Sequence, residues 1–146
     1  MMHDLALHHL SLEHQEALLL GRRLLEASTG PEEQLQGVWE VLRRRFHAEV
    51  QPHFLLEEEE LLPALEALGE EALVARVWEE HEALRALVAD EALPPHIRLK
   101  KLGLRLLAHV RFEESQVFQL AARRLPLEVL EHIARRTPPP GSGTDG

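Results

Sequence analysis

The sequence predicts an all-α chain, folded as an antiparallel up-down four-helix bundle with a short extra C-terminal helix. Three observations predict it. Leu and Ala dominate, Tyr is absent and aromatic residues make up only 4%, a composition that favours helices over sheets. Apolar residues recur every three or four positions through four long segments, the spacing that lines one face of a helix. Gly and Pro gather mostly between those segments, so the joins are short and neighbouring helices run antiparallel.

The first segment runs from about Asp4 to Ala27, with Leu7, Leu10, His14, Ala17, Gly21 and Leu24 on its stripe; Ser28-Thr29-Gly30-Pro31 stops it. The second opens after Pro31 with Glu32 and Glu33, charges suited to a first helical turn. It continues through Trp39, Leu42, Phe46, Glu49, His53 and Leu56/Glu57 to the neighbourhood of Leu68-Gly69. Pro52 lies inside that pattern, which predicts a kink rather than two unrelated helices. The third, about Glu70 to Ala89, carries Val74, Val77, His81, Leu84 and Val88, and Pro94-Pro95 marks the next turn. The fourth, about Pro95 to Arg124, places Leu102, Leu106, His109, Glu113, Gln116 and Leu120 on one face. A short fifth helix, Leu127 to Arg136, is expected to cap the bundle. The folded unit therefore spans 1–136. Residues 137–146, with three consecutive prolines and a Gly-Ser-Gly-Thr-Asp-Gly end, offer nothing apolar to bury and are expected to be disordered.

The formal charge of −9 argues against a nucleic-acid partner, which needs a concentrated basic face. The absence of cysteine removes disulfides, iron–sulfur clusters and thiolate zinc sites together. Met-Met-His-Asp lacks the character of a secretory signal, and no uncharged run approaches the roughly 18 residues of a membrane span. A cytoplasmic location without membrane contact is the default expectation.

Two segments read His-x-x-x-Glu, His53 to Glu57 and His109 to Glu113. Residues four apart on a helix lie almost above one another, so each pair aims an imidazole and a carboxylate the same way. His14 and His81 occupy stripe positions on the other two long segments. A lone histidine on an apolar stripe is more often a hydrogen-bonded core residue than a ligand. Two buried carboxylates are harder to accommodate, because an ionised carboxylate in a core must be paired or bound to metal. Imidazole with carboxylate suits iron, manganese, zinc or copper better than calcium or magnesium. Six ligands exceed what one tetrahedral zinc uses, whereas two ions share them well, each Glu bridging both. Di-iron is the first expectation.

At this level the chain resembles the hemerythrin-like, or HHE cation-binding, domain family. The matching stretches are Leu10-Ser11-Leu12-Glu13-His14, Pro52-His53-Phe54-Leu55-Leu56-Glu57-Glu58 on to Leu62-Pro63, Glu80-His81-Glu82-Ala83-Leu84-Arg85, and His109-Val110-Arg111-Phe112-Glu113-Glu114. The resemblance implies two iron ions in an oxo- or hydroxo-bridged centre, with zinc or manganese as substitutes. It assigns His14, His53, Glu57, His81, His109 and Glu113 as ligands and a diatomic molecule or peroxide as the small partner. Oxygen-carrying hemerythrins place two histidines four apart on the third helix. Here Val77 stands four before His81, so one iron is expected to lack a nitrogen. Water or Glu49 could fill the gap, although Glu49 reads better as an outer partner or surface charge.

The remaining histidines, His3, His8, His9, His47, His96 and His132, fall off the stripes or in turns and are expected to be solvated. Trp39 and Trp78 are expected to fill core volume beside the site, with Trp78 shielding it from water. The Glu57 to Glu60 run reads as a solvated face apart from Glu57, and Arg43-Arg44-Arg45 as a poor anion site. These readings lead to a non-haem di-iron protein that meets dioxygen, peroxide or nitric oxide in sensing, detoxification or iron handling, and is not a conventional enzyme. The alternative is a helical interaction module with a vestigial or zinc-filled site. A true redox enzyme is the third reading.

Overall fold

The computed structural model describes residues 7–137. The expected tail from 138 onward, and the start of the first segment near Asp4, lie outside the described residues. Thr137 is buried, its hydroxyl donating to the Ile133 carbonyl at 2.7 Å and its own carbonyl meeting His9 Nδ1 at 3.0 Å.

The chain is all-helical, with no strand among the described residues. Helix α1 is His8–Ala27, α3 is Glu71–Ala89 and α5 is Leu127–Arg136. Helix α2 is a continuous run over 32–67, and α4 another over 95–124. Prolines set the starts: Pro31, Pro94 and Pro126 each precede a helix with extended ψ, between 131° and 147°. Gly69 ends α2. Its φ of +91° lets its N–H reach the Glu66 carbonyl at 2.9 Å while the Glu70 N–H returns to Leu65 at 3.1 Å, a Schellman closure.

Pro52 does not split α2. The chain widens into a π turn, Phe46–Val50, whose Gln51 N–H bonds the Phe46 carbonyl, and Pro52 follows at once. The same device recurs at Glu57–Leu61, with Leu62 N–H on the Glu57 carbonyl and Pro63 next. A third π turn, Glu113–Val117, interrupts α4 with no proline behind it. Glu57 and Glu113 therefore each open a π turn, a feature frequent at functional sites.

The most extensive contact joins α1 to α4, and two glycines make it close. A Cβ on Gly103 would stand 2.9 Å from the Gly21 carbonyl oxygen, and one on Gly21 would stand 2.9 Å from Leu107. The apolar core forms two clusters. One gathers Leu10, Leu61, Val77, Val117 and Phe118 with Leu130 and Ile133 of α5. The other gathers Ala17, Trp39, Phe46, Phe54, Leu84 and Val110. Along α1 and α3 the chain passes from the first cluster to the second; along α2 and α4 it passes back. Between the clusters each of α1 to α4 contributes buried polar residues: His14, then His53 and Glu57, then His81, then His109 and Glu113.

Candidate metal centre

All six expected site residues are buried, Glu57 and Glu113 completely, and they converge. His14, His53, Glu57 and Glu113 form one group, and His81, His109, Glu57 and Glu113 another. Within each group the ligand atoms lie within 4.8 Å of one another. Both carboxylates belong to both groups. Glu57 Oε2 lies 2.9 Å from His53 Nε2, and its Oε1 lies 3.1 Å from His81 Nε2. Glu113 Oε1 lies 2.8 Å from His14 Nε2 and 3.2 Å from His109 Nε2.

Short distances here are mostly not hydrogen bonds. Nε2 of His53, His81 and His109, both Glu57 oxygens and Glu113 Oε2 are buried with no partner of acceptable geometry. Only His14 and Glu113 are aligned for one. Six orphaned polar atoms in one small volume are costly without a further partner. Nitrogen and oxygen lone pairs aimed at a shared space rather than at one another fit metal cations.

The outer edges of the imidazoles are fully engaged. His14 Nδ1 meets Glu114 at 3.0 Å, His53 Nδ1 meets Glu13 at 2.8 Å, His81 Nδ1 meets Glu58 at 2.7 Å and His109 Nδ1 meets Glu80 at 2.7 Å. An ionised carboxylate can only accept, so each Nδ1 carries a proton, and a ring that gives up its second proton presents an Nε2 lone pair inward. Arg85 holds Glu58 by both guanidinium nitrogens, at 2.7 and 3.0 Å.

Burial opposes charge on every imidazole, yet the surrounding carboxylates outweigh it. His53 is raised to about 9 by Glu57 and Glu13, and His81 to about 11 by Glu113, Glu57 and Glu58. His14 and His109 are also raised, by Glu113 foremost. Burial and the facing Glu57 would push Glu113 up, but His109 and His14 bring it down to about 2; Glu57 likewise lies well below its ordinary value. Two ionised carboxylates thus face a volume that demands positive charge, supplied by protons or by metal.

Aromatic rings close the site. Phe54 stacks on His81 with centroids 3.8 Å apart, and Phe118 on His14 at 4.6 Å. Trp78 does not serve, being 40% exposed. One residue beyond Val77, it is turned about 100° off the buried stripe of α3. Trp39 is buried, but in the second apolar cluster. Val77 is wholly buried in the first. Glu49 is absent from both ligand groups and pairs with Arg45 at 3.2 Å on a partly exposed face. Nor are all the off-stripe histidines purely solvated, since His9 docks on Thr137 and His132 on Glu60 at 2.9 Å.

The model of the hemerythrin HHE cation-binding domain matches residues 5–121. The chain belongs to that family. Searches of curated proteins and of solved structures give no match. Membership in the HHE family, with the two His/Glu groups, indicates metal-ion binding. The four outer carboxylates were not singled out by spacing, although each lies beside an inner ligand: Glu13 by His14, Glu58 by Glu57, Glu80 by His81 and Glu114 by Glu113. No helix among the described residues is long and apolar enough to cross a membrane.

Proposed function

We propose that this HHE domain is a non-haem di-iron protein that meets dioxygen, peroxide or nitric oxide in sensing, detoxification or iron handling. One ion would be held by His14 and His53, the other by His81 and His109, with Glu57 and Glu113 shared. The observation that carries this reading is the set of orphaned ligand atoms, divided into two groups with both carboxylates common to them. Two imidazoles and two shared carboxylates per ion make a nitrogen and oxygen donor set of the kind that iron accepts. When bound, such a pair supplies electron transfer to and from a small oxidant or diatomic ligand.

The chain's own residues prepare the rest. Glu13, Glu58, Glu80 and Glu114 fix the tautomer of every imidazole and raise its basicity. Phe54 and Phe118 wall off two of the rings, and burial excludes large substrates. The alternating passage of the four long helices between the apolar clusters supports an antiparallel up-down four-helix bundle, crossed at mid-length by the ligand layer.

The test is metal analysis of protein produced with added iron, paired with optical spectra taken with and without air. About two irons per chain and a near-ultraviolet band that responds to dioxygen or nitric oxide are expected. Metal content near zero would end the proposal, and two zinc ions with no oxidisable spectrum would end its redox part.

A further inference from the structure

The outer face of the α1–α4 pair carries a pattern of its own. Residues 92–112 hold no acidic side chain in a chain with 25 of them, yet include both of its lysines, Lys100 and Lys101. Arg22 and Leu104 each follow a glycine of the crossing and are exposed, Leu104 by 50%, whereas Leu20 and Leu102 each precede one and are fully buried. The side that follows the glycines therefore looks to solvent. Steps of three and four continue it along both helices: Gln15, Leu18, Arg22 and Leu25 on α1, and Lys100, Leu104, Leu107 and Arg111 on α4. Leu25 lies over Gly103 and Leu107 over Gly21, each 2.9 Å from a Cβ placed there, so these two floor a shallow groove. Leu18 and Leu25 are partly buried and Leu104 stands free. Arg22, Lys100 and Arg111 are exposed and make no ion pair among the described residues, unlike Arg43, Arg45, Arg76 and Arg85 of α2 and α3. Glu26, one turn after Arg22, reduces the positive charge at one end. Glu114, at the His14 end, is already taken up by Ser11 and His14.

This spacing is that of a coiled-coil seam, which takes the knobs of a further helix. The run from Lys100 to Arg111 spans about 16 Å, or three turns. Cations flanking an apolar strip call for a partner with carboxylates flanking its own. A second copy set face to face would oppose these cations to one another, and an anionic lipid surface would meet a chain of net charge −9. We propose that the groove binds an acidic amphipathic helix of another protein, its apolar stripe on Leu18, Leu25 and Leu104 and its carboxylates on Arg22, Lys100 and Arg111. Binding here is independent of the metal reading, since none of these side chains is a candidate ligand.

The probe is a fluorescein-labelled peptide of three heptads with leucine at a and d and glutamate at e and g, kept monomeric by its own charge. Titrated with the full chain at about 50 mM salt, its anisotropy should saturate with Kd of about 100 μM or tighter. At about 500 mM salt the affinity should fall at least about fivefold. The same peptide with lysine at e and g should bind at least about tenfold more weakly. Carbodiimide should couple the glutamate peptide to Lys100 or Lys101, the chain's only side-chain amines. Arg22→Glu with Arg111→Glu should weaken binding about tenfold, and Leu104→Asn about threefold; all three positions are exposed, so circular dichroism should not change. The proposal is overturned by absence of saturation at about 1 mM protein, by equal binding of the lysine peptide, or by full affinity in either variant. Tighter binding to phosphatidylglycerol vesicles than to the peptide, or a dimer that Leu104→Asn dissolves, would overturn it in favour of another occupant.

Discussion

The four outer carboxylates differ in a way that turns the proposed centre into a graded prediction. Side-chain exposure is 7% for Glu58, 23% for Glu13, 28% for Glu80 and 41% for Glu114. Removing the carboxylate behind a metal-bound histidine typically costs about 10- to 100-fold in metal affinity, or about 1.4–2.7 kcal/mol. Charges shielded from water are screened least, so Glu58→Ala belongs at the upper end and Glu114→Ala at or below the lower. Arg85 widens the gap. With Glu58 gone, the guanidinium that gripped it at 2.7 and 3.0 Å is left beside His81 and repels an incoming cation. At Glu114, by contrast, water can take over the His14 Nδ1 proton. Anaerobic competition between each alanine variant and an iron(II) chelator measures the series, with circular dichroism to check the fold. Glu13 and Glu80 should fall between the extremes. A loss at Glu114 equal to that at Glu58, or losses all below about threefold, would refute the assignment of these groups as partners of metal-bound rings.

Three further outcomes are expected. His53→Gln should leave about one ion per chain and Glu57→Gln none tightly held, because Glu57 serves both groups and His53 only one; equal stoichiometry in the two variants would contradict the shared-carboxylate reading. In metal-free protein, His53 and His81 are raised to about 9 and about 11, so their stabilisation is full below the ordinary value of 6.5 and drains as pH rises through those values. Glu113, lowered to about 2, stabilises above its ordinary 4.5 and loses its share as pH falls through 2. Metal replaces the histidine protons, so the rise in Tm on metal loading should grow from pH 6.5 to 9; a rise independent of pH would count against it. Gly103→Ala drives a methyl against the Gly21 carbonyl and should cost about 1–3 kcal/mol, or ~3–10 °C in Tm. Gly37→Ala, exposed on α2 with open space around it, should instead stabilise by about 0.5–1 kcal/mol; the reverse order in calorimetry would refute the close approach of α1 and α4.

The helix limits were legible because prolines and one glycine set them: Pro31, Gly69 and Pro94-Pro95 sit where the spacing broke. The six inner residues were legible from their place on the apolar stripes, but the same rule also put Glu49 and Gln116 there, and both face outward. Glu49 is paired with Arg45 in the π turn Phe46–Val50 and Gln116 is exposed in the π turn Glu113–Val117, where the winding departs from the regular helical period. What escaped was whatever depends on a second helix. Glu58 looked like one of three solvated acids, and only the approach of α3, with His81 and Arg85, makes it a partly buried partner. Phe54 and Phe118 were not singled out, since nothing local shows that an imidazole stacks on them. Trp78 was misplaced because its distance from His81 along the chain was weighed above its angle around the helix. The π turn at Glu113 has no proline behind it and left no local mark, unlike those ahead of Pro52 and Pro63.

The wide turns at Glu57 and Glu113 also bear on which length changes the chain can absorb. An ordinary helix that loses one residue swings everything downstream by about 100°, exposing whatever had been packed. A π turn already carries a surplus residue, so a one-residue deletion within 114–117 can tighten to regular winding and leave Phe118 and Ala121 on their present side. Such a shortened chain would keep its interior while re-aiming Glu113, separating the demands of folding from those of ligation at a single locus.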